Sequence, residues 1–117
     1  MGDYAASGGV YISTPADYIF AHPTTITGSI GVAIAFLTTE DSLEYIGISK
    51  DGVQTSKFAG WTPELPVTEE LDNIFNNLAE RSYQRFLEVV SESRKKDVSE
   101  INKIAGGRVW ILSLIHI

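Results

Sequence analysis

The sequence predicts a layered α/β domain. A long amphipathic stretch at 68–95 carries a helical period, and short apolar runs bounded by proline and glycine carry the signature of strands. The two kinds of segment alternate along the chain, which favours helices packed on a sheet. The 117 residues, 44% of them hydrophobic, suffice for one cored domain and not for two.

Taken in order, residues 4–14 (Tyr-Ala-Ala-Ser-Gly-Gly-Val-Tyr-Ile-Ser-Thr) read as a short helix despite two glycines. Pro15 ends it, because the residue before a proline avoids the helical region. Residues 18–21 (Tyr-Ile-Phe-Ala) read as a short buried strand closed by Pro23. Thr24 to Gly28 reads as a turn, and Ser29 to Leu37 as an apolar strand interrupted by Gly31. Residues 39–46 fit a helix capped by Thr38 or Thr39 and stopped by Gly47. A turn at Asp51-Gly52 and a strand-like piece occupy 48–58, and Gly60 to Pro66 is a loop.

In the helix from about Thr68 to Lys95, Leu71, Ile74, Phe75, Leu78, Phe86, Val89 and Val90 fall largely at helical spacing. Glu69 and Glu70 open it and Arg94, Lys95 and Lys96 close it, both favourable to the macrodipole. Asp97-Val-Ser-Glu100 resembles a capping box and starts a short helix that ends at Gly106-Gly107.

Composition excludes several chemistries. The net charge of −6 argues against a nucleic-acid partner, which needs a basic face. Without cysteine there is no thiol nucleophile, disulfide or thiolate zinc site. The two histidines, His22 and His116, lie near opposite ends of the chain, a poor start for a metal site. No cofactor is expected. No stretch reaches the roughly 18 to 20 apolar residues of a membrane span, and the N-terminus lacks the pattern of a signal peptide.

The informative segment is Ala5-Ala6-Ser7-Gly8-Gly9, a serine among tiny residues where a helix begins. Amides at such an end point outward and can hold an oxyanion, and small neighbours let a substrate backbone approach. By spacing alone, the helix-cap reading of Ser7 is the favoured one, because Ser-Gly-Gly is common in loops. A nucleophilic serine also needs a base. His22, between Ala21 and Pro23, reads as structural or solvent-facing. Lys95, Lys96 and Lys103 read as solvated and Lys50 sits beside a turn, which leaves Lys57 as the lysine that could be drawn inward.

Residues 1–17, Met-Gly-Asp-Tyr-Ala-Ala-Ser-Gly-Gly-Val-Tyr-Ile-Ser-Thr-Pro-Ala-Asp, closely resemble the nucleophile segment of the protease IV (signal peptide peptidase A) family. Residues 21–31 resemble that family's following strand and its Thr-Gly-Ser-Ile-Gly turn. Asp51-Gly-Val-Gln-Thr-Ser56 looks like the C-terminal catalytic half of the long, two-halved bacterial form, and Ile104-Ala-Gly-Gly-Arg-Val-Trp110 like a further family motif.

The resemblance implies the spiral α/β fold shared by the Clp protease proteolytic subunit and crotonases, here incomplete. It implies a serine endopeptidase with a Ser-Lys dyad, acting on peptides that include remnant signal peptides. Ser7 would be the nucleophile, Gly8 N–H an oxyanion donor and Ser29 the residue that assists the lysine base. It implies a homo-oligomer, tetrameric in the long form, anchored in the bacterial inner membrane and facing the periplasm.

Val10 departs from the aromatic residue usual in the family. The base has no clear match: in the long form it comes from the N-terminal half, missing here, and in the short form it would fall near Ala59, two residues from Lys57. The expectation is therefore that residues 1–110 are a truncated peptidase domain, inactive alone, with a methionine internal to the family at its start. Residues 111–117 read as a tail foreign to the family. The alternatives are a crotonase-like acyl-CoA enzyme or a non-catalytic assembly fragment. Two structural expectations follow: Ser7 in a groove at a helix N-terminus with Ser29 near it, and a contiguous apolar patch left exposed.

Overall fold

The computed structural model describes residues 1–114. Two compact units divide the chain: Met1–Ala33 with Ala79 onward, and Ile34–Leu78.

The first unit is built on a small sheet of strands β1 (Tyr4–Ala6), β2 (Ile26–Gly28) and β3 (Val109–Ile111), in that spatial order. β1 and β2 run parallel, with Tyr4 opposite Ile26, Ala5 opposite Thr27 and Ala6 opposite Gly28. β3 runs antiparallel to β2 and sets Trp110 against Thr27 and Val109 against Gly28. Between the parallel strands the chain forms helix α1 (Gly8–Ser13), which packs on β1 and β2. Such a crossover is what parallel pairing requires.

The core of this unit joins Val10 of α1, Ile30 after β2, Phe86, Leu87 and Val90 of the long helix, and Ile101 and Ala105. Tyr11 meets Phe86 edge-on at 5.1 Å between ring centroids. Thr14 O accepts a hydrogen bond from Ser93 Oγ at 2.5 Å. Leu87 and Ile101 are each 1% exposed. The long helix, which we number α3 (Glu69–Arg94), is followed by α4 (Val98–Ile104).

In the second unit, α2 (Glu40–Tyr45) starts at Thr39 and ends at Ile46, with Gly47 in the left-handed region at φ 75°. Phe36, Trp61 and Phe75 form an aromatic cluster with centroids 4.3 to 6.2 Å apart. Lys50 Nζ bonds Glu64 Oε2 at 2.8 Å and Thr62 Oγ1 at 2.6 Å. This hydrogen bond from Lys50, with a second from Thr62, holds the Glu64 carboxyl well below its usual range, at about 2.

The mixed α/β class holds, with corrections inside it. Residues 4–14 are not one helix: Tyr4–Ala6 is a strand, and the helix starts at Gly8. The segment read as a turn at 24–28 contains strand β2. The strands expected at 18–21 and 29–37 do not form, and Tyr18 and Phe20 are each 82% exposed. An apolar run becomes a strand only with a partner for its backbone groups along its length. Among the described residues these runs are bonded only at isolated points, at Phe20 O, Ser29 N–H and Ile30 O, and pair with no strand. The strand-like piece at 48–58 is turns and irregular chain. On α3, Ile74 and Leu78 are exposed, while Leu87, absent from the expected stripe, is central. Asp97 is the N-cap of α4 with extended backbone, but its side chain makes no capping bond.

Candidate active site

The strand–turn–helix from Tyr4 to Ser13 positions Ser7. Its backbone has φ 51° and ψ −112°, a region L-residues avoid at a cost of order 1–3 kcal/mol. A helix N-cap normally takes extended backbone and turns its hydroxyl onto the amides of the first turn. Ser7 does neither: it lies at the N-cap position, and its side chain makes no capping bond. The capping explanation of this serine is therefore removed, and Ser7 is an exposed residue just beyond the end of β1. A serine held on a sharp, strained strand-to-helix turn is a recurrent way of presenting a nucleophile.

Main-chain bonds place Ser29 beside it. Ser7 N–H donates to Gly28 O at 2.9 Å. Since Ala6 pairs with Gly28 in the parallel register, Ser7 and Ser29 each stand one residue beyond the carboxyl end of neighbouring strands. Crevices beyond such ends are the usual ligand sites of open α/β sheets. Ser29 is half-buried and also has φ 51°.

The turn around Ser29 is clamped by the segment after α4. Ser29 N–H donates to Arg108 O at 2.6 Å, and Gly107 N–H to Ile30 O at 2.9 Å. A Cβ on Gly28 would lie 2.8 Å from Arg108 O and 2.5 Å from Trp110 Cδ1. One on Gly31 would lie 2.8 Å from Gly107 N. Only glycine permits both approaches. Gly106 and Gly107 themselves have φ 69° and 74°. The two motifs quoted above, around residues 27–31 and 104–110, are thus one packed feature. Their contact was not readable from either motif; the signal was the glycine density in both.

Gly8 opens α1, and a side chain there would meet nothing within 4 Å. Ser7 O already accepts the amide of Tyr11, the first such bond of the helix. The amides of Gly8 and Gly9 precede that bond and have no partner inside the helix.

All five lysines are exposed, and three of them are ion-paired. Lys57 belongs to the second unit, its side chain is exposed, and it pairs with Glu70. Lys50 is engaged by Glu64. Lys95, Lys96 and Lys103 are exposed, with Lys96 Nζ 3.7 Å from Glu100. His22 faces solvent and clips its own turn, its Nδ1 2.8 Å from Thr24 Oγ1. His116 and the end of the expected tail, residues 115–117, lie outside the described residues. No helix among the described residues is long and apolar enough to cross a membrane.

Comparison with known proteins gives this geometry a family. Protease 4 of Haemophilus influenzae is 43% identical over 95% of this chain and 18% of its own length. Protease 4 of Salmonella typhi is 44% identical over 94% of this chain and 18% of its own. A chloroplastic protein of Arabidopsis thaliana named serine protease SPPA is 38% identical over 94% of this chain and 16% of its own. The chain thus spans less than a fifth of the length of these relatives. The family model described as Peptidase family S49 matches residues 1–113, nearly the whole chain. By that match and these identities, the chain belongs to peptidase family S49.

Proposed function

We propose that this chain supplies the nucleophile, and not the base, of a serine peptidase. The observation that carries the reading is Ser7: a serine in a strained conformation at a helix start, with no capping role for its hydroxyl. In this reading Ser7 Oγ attacks the scissile carbonyl carbon and loses its proton to a neutral lysine amine. The Gly8 N–H receives the oxyanion. Collapse of the tetrahedral intermediate expels the peptide amine, which takes the proton from the lysine, and water then hydrolyses the acyl-enzyme. Ser29 orients the lysine through its hydroxyl.

The lysine comes from another part of a longer polypeptide. Support comes from the length of the relatives and from the engagement of Lys57 with Glu70. The surrounding domain is the Clp-protease-like spiral, of which residues 1–110 form part; the family match runs on to residue 113, and Ile111 closes strand β3, so the foreign tail is not proposed to start at 111. The substrates are peptides, including remnant signal peptides, and the assembly is a homo-oligomer, a tetramer, held at the bacterial inner membrane and facing the periplasm. The acyl-CoA alternative is not favoured, since the relatives are named proteases.

A fluorophosphonate probe applied to the full-length polypeptide carrying this sequence tests the reading. Ser7 is labelled, and Ser7→Ala abolishes both labelling and peptide cleavage. Lys57→Ala leaves cleavage nearly unchanged. Undiminished cleavage by Ser7→Ala refutes the assignment, and loss of cleavage in Lys57→Ala moves the base into this chain.

A further inference from the structure

Helix α4 ends in an unusual way. The amides that follow a helix commonly turn back onto its last carbonyls. Ala105 N–H does so, onto Ile101 O and Asn102 O, but Gly106 N–H donates instead to the hydroxyl oxygen of Tyr83 on α3, at 3.3 Å. The Tyr83 hydroxyl proton goes to Asn102 Oδ1 on α4, at 2.6 Å. The next amide, Gly107 N–H, reaches Ile30 O at 2.9 Å, and Arg108 O receives Ser29 N–H at 2.6 Å. The Tyr83 ring is partly buried against the cluster of Phe86, Leu87 and Ile101, so its hydroxyl is held from behind by packing. Gly106 and Gly107 are the most flexible residue type in a left-handed conformation. An external anchor is what keeps such a pair in one place.

We propose that Tyr83 is a positioning residue of the site: its hydroxyl, oriented by Asn102, fixes Gly106 and thereby the Gly107–Arg108 segment that holds Ser29 beside Ser7. This rests on the peptidase reading, in which Ser29 orients the base. Small displacements of a positioned group are costly in rate without a matching loss of ground-state binding.

The test uses the full-length polypeptide and a peptide substrate. Tyr83→Phe keeps the packed ring and removes only the hydroxyl. It is expected to lower kcat about tenfold and to leave KM and the folded fraction within about twofold. Asn102→Leu should act similarly, Asn102→Asp, which keeps an acceptor oxygen, should restore most of the rate, and the Tyr83→Phe/Asn102→Leu pair should be no worse than either single variant within about twofold. A kcat for Tyr83→Phe within about twofold of wild type, or a loss accounted for wholly by unfolded protein, overturns the proposal. Ser7→Ala in the same assay separates the two levels: full cleavage without Ser7 refutes the peptidase reading, whereas a Ser7-dependent enzyme indifferent to Tyr83 refutes this inference alone.

Discussion

Gly31→Ala isolates the contact that ties the Ser29 turn to the end of α4. Gly31 has no left-handed backbone to lose, so the added methyl acts only through space. It would stand 2.8 Å from Gly107 N and 2.9 Å from Gly107 Cα, about 0.6 Å inside ordinary contact at 3.4 Å. Both opposing atoms are main chain, and no rotamer change relieves them. The segment must move, and the bond from Gly107 N–H to Ile30 O at 2.9 Å lengthens or breaks. Overpacking of this kind costs about 1–3 kcal/mol, and the lost hydrogen bond about 1 kcal/mol more. A total of about 2–4 kcal/mol is expected by equilibrium urea unfolding of wild type and variant side by side. Gly52→Ala, where a Cβ meets nothing within 4 Å, is the control and should stay within about 0.5 kcal/mol of wild type. Equal stability of Gly31→Ala and wild type would refute the close approach, and with it the account of why two distant glycine motifs meet.

Ser7→Gly relieves the strain at φ 51° and is expected to abolish cleavage while raising stability by up to about 1 kcal/mol, the strain relieved less the chain entropy of glycine; a destabilised variant in thermal melts would contradict the strain. Leu87→Ala, at a site 1% exposed, should cost about 2–5 kcal/mol, against under about 1 kcal/mol for Leu78→Ala at an exposed site; similar urea midpoints for the two would contradict the placement of the core. The Glu64 carboxyl should titrate below its ordinary 4.5, toward about 2, in a carbon-detected NMR titration, and Lys50→Met should return it upward. Because the folded value is the lower one, what the pairing adds to stability is complete above about pH 4.5 and fades as the pH falls toward about 2.

How much was legible in the sequence followed the range of the interactions. Helix α3 was plain, because its charges and apolar spacing are local and 26 residues repeat the signal. α2 and its glycine stop were equally local. Strand β1 was invisible: three residues show no period, its partner lies 22 positions away, and Tyr-Ala-Ala is as comfortable in a helix as in a strand. β3 was missed for the same reason, its Val109–Ile111 segment having no meaning until β2 is set against it. The apolar segments at 18–21 and 29–37 misled in the other direction, since composition announces burial without naming a partner. At the site, small residues around Ser7 marked the spot, but its backbone strain could not be foreseen, because serine carries no preference for φ 51°. The nearness of Ser29 was expected from the small-residue run at Ser7 and the Gly28–Gly31 turn, but the parallel register that produces it was not.

The bonds that hold the two serines in place come from main-chain atoms: Ile26 N–H to Asp3 O, Ser7 N–H to Gly28 O, Ser29 N–H to Arg108 O, Gly107 N–H to Ile30 O. Main-chain groups are shared by nearly every amino acid, so most single-letter changes at these positions leave the scaffold intact. Proline, which removes the donor, the side chains barred from Gly28 and Gly31, any side chain at the left-handed Gly107 and a polar replacement of the core residue Ile30 are the exceptions. Chain length is a different matter. One residue inserted between Ala6 and Ser7, or between Gly28 and Ser29, breaks the alignment of every bond beyond it. The geometry is therefore written in spacing more than in letters, and it can persist through extensive drift of sequence provided that insertions fall elsewhere, as in the irregular stretch from Pro15 to Thr24 that joins α1 to β2.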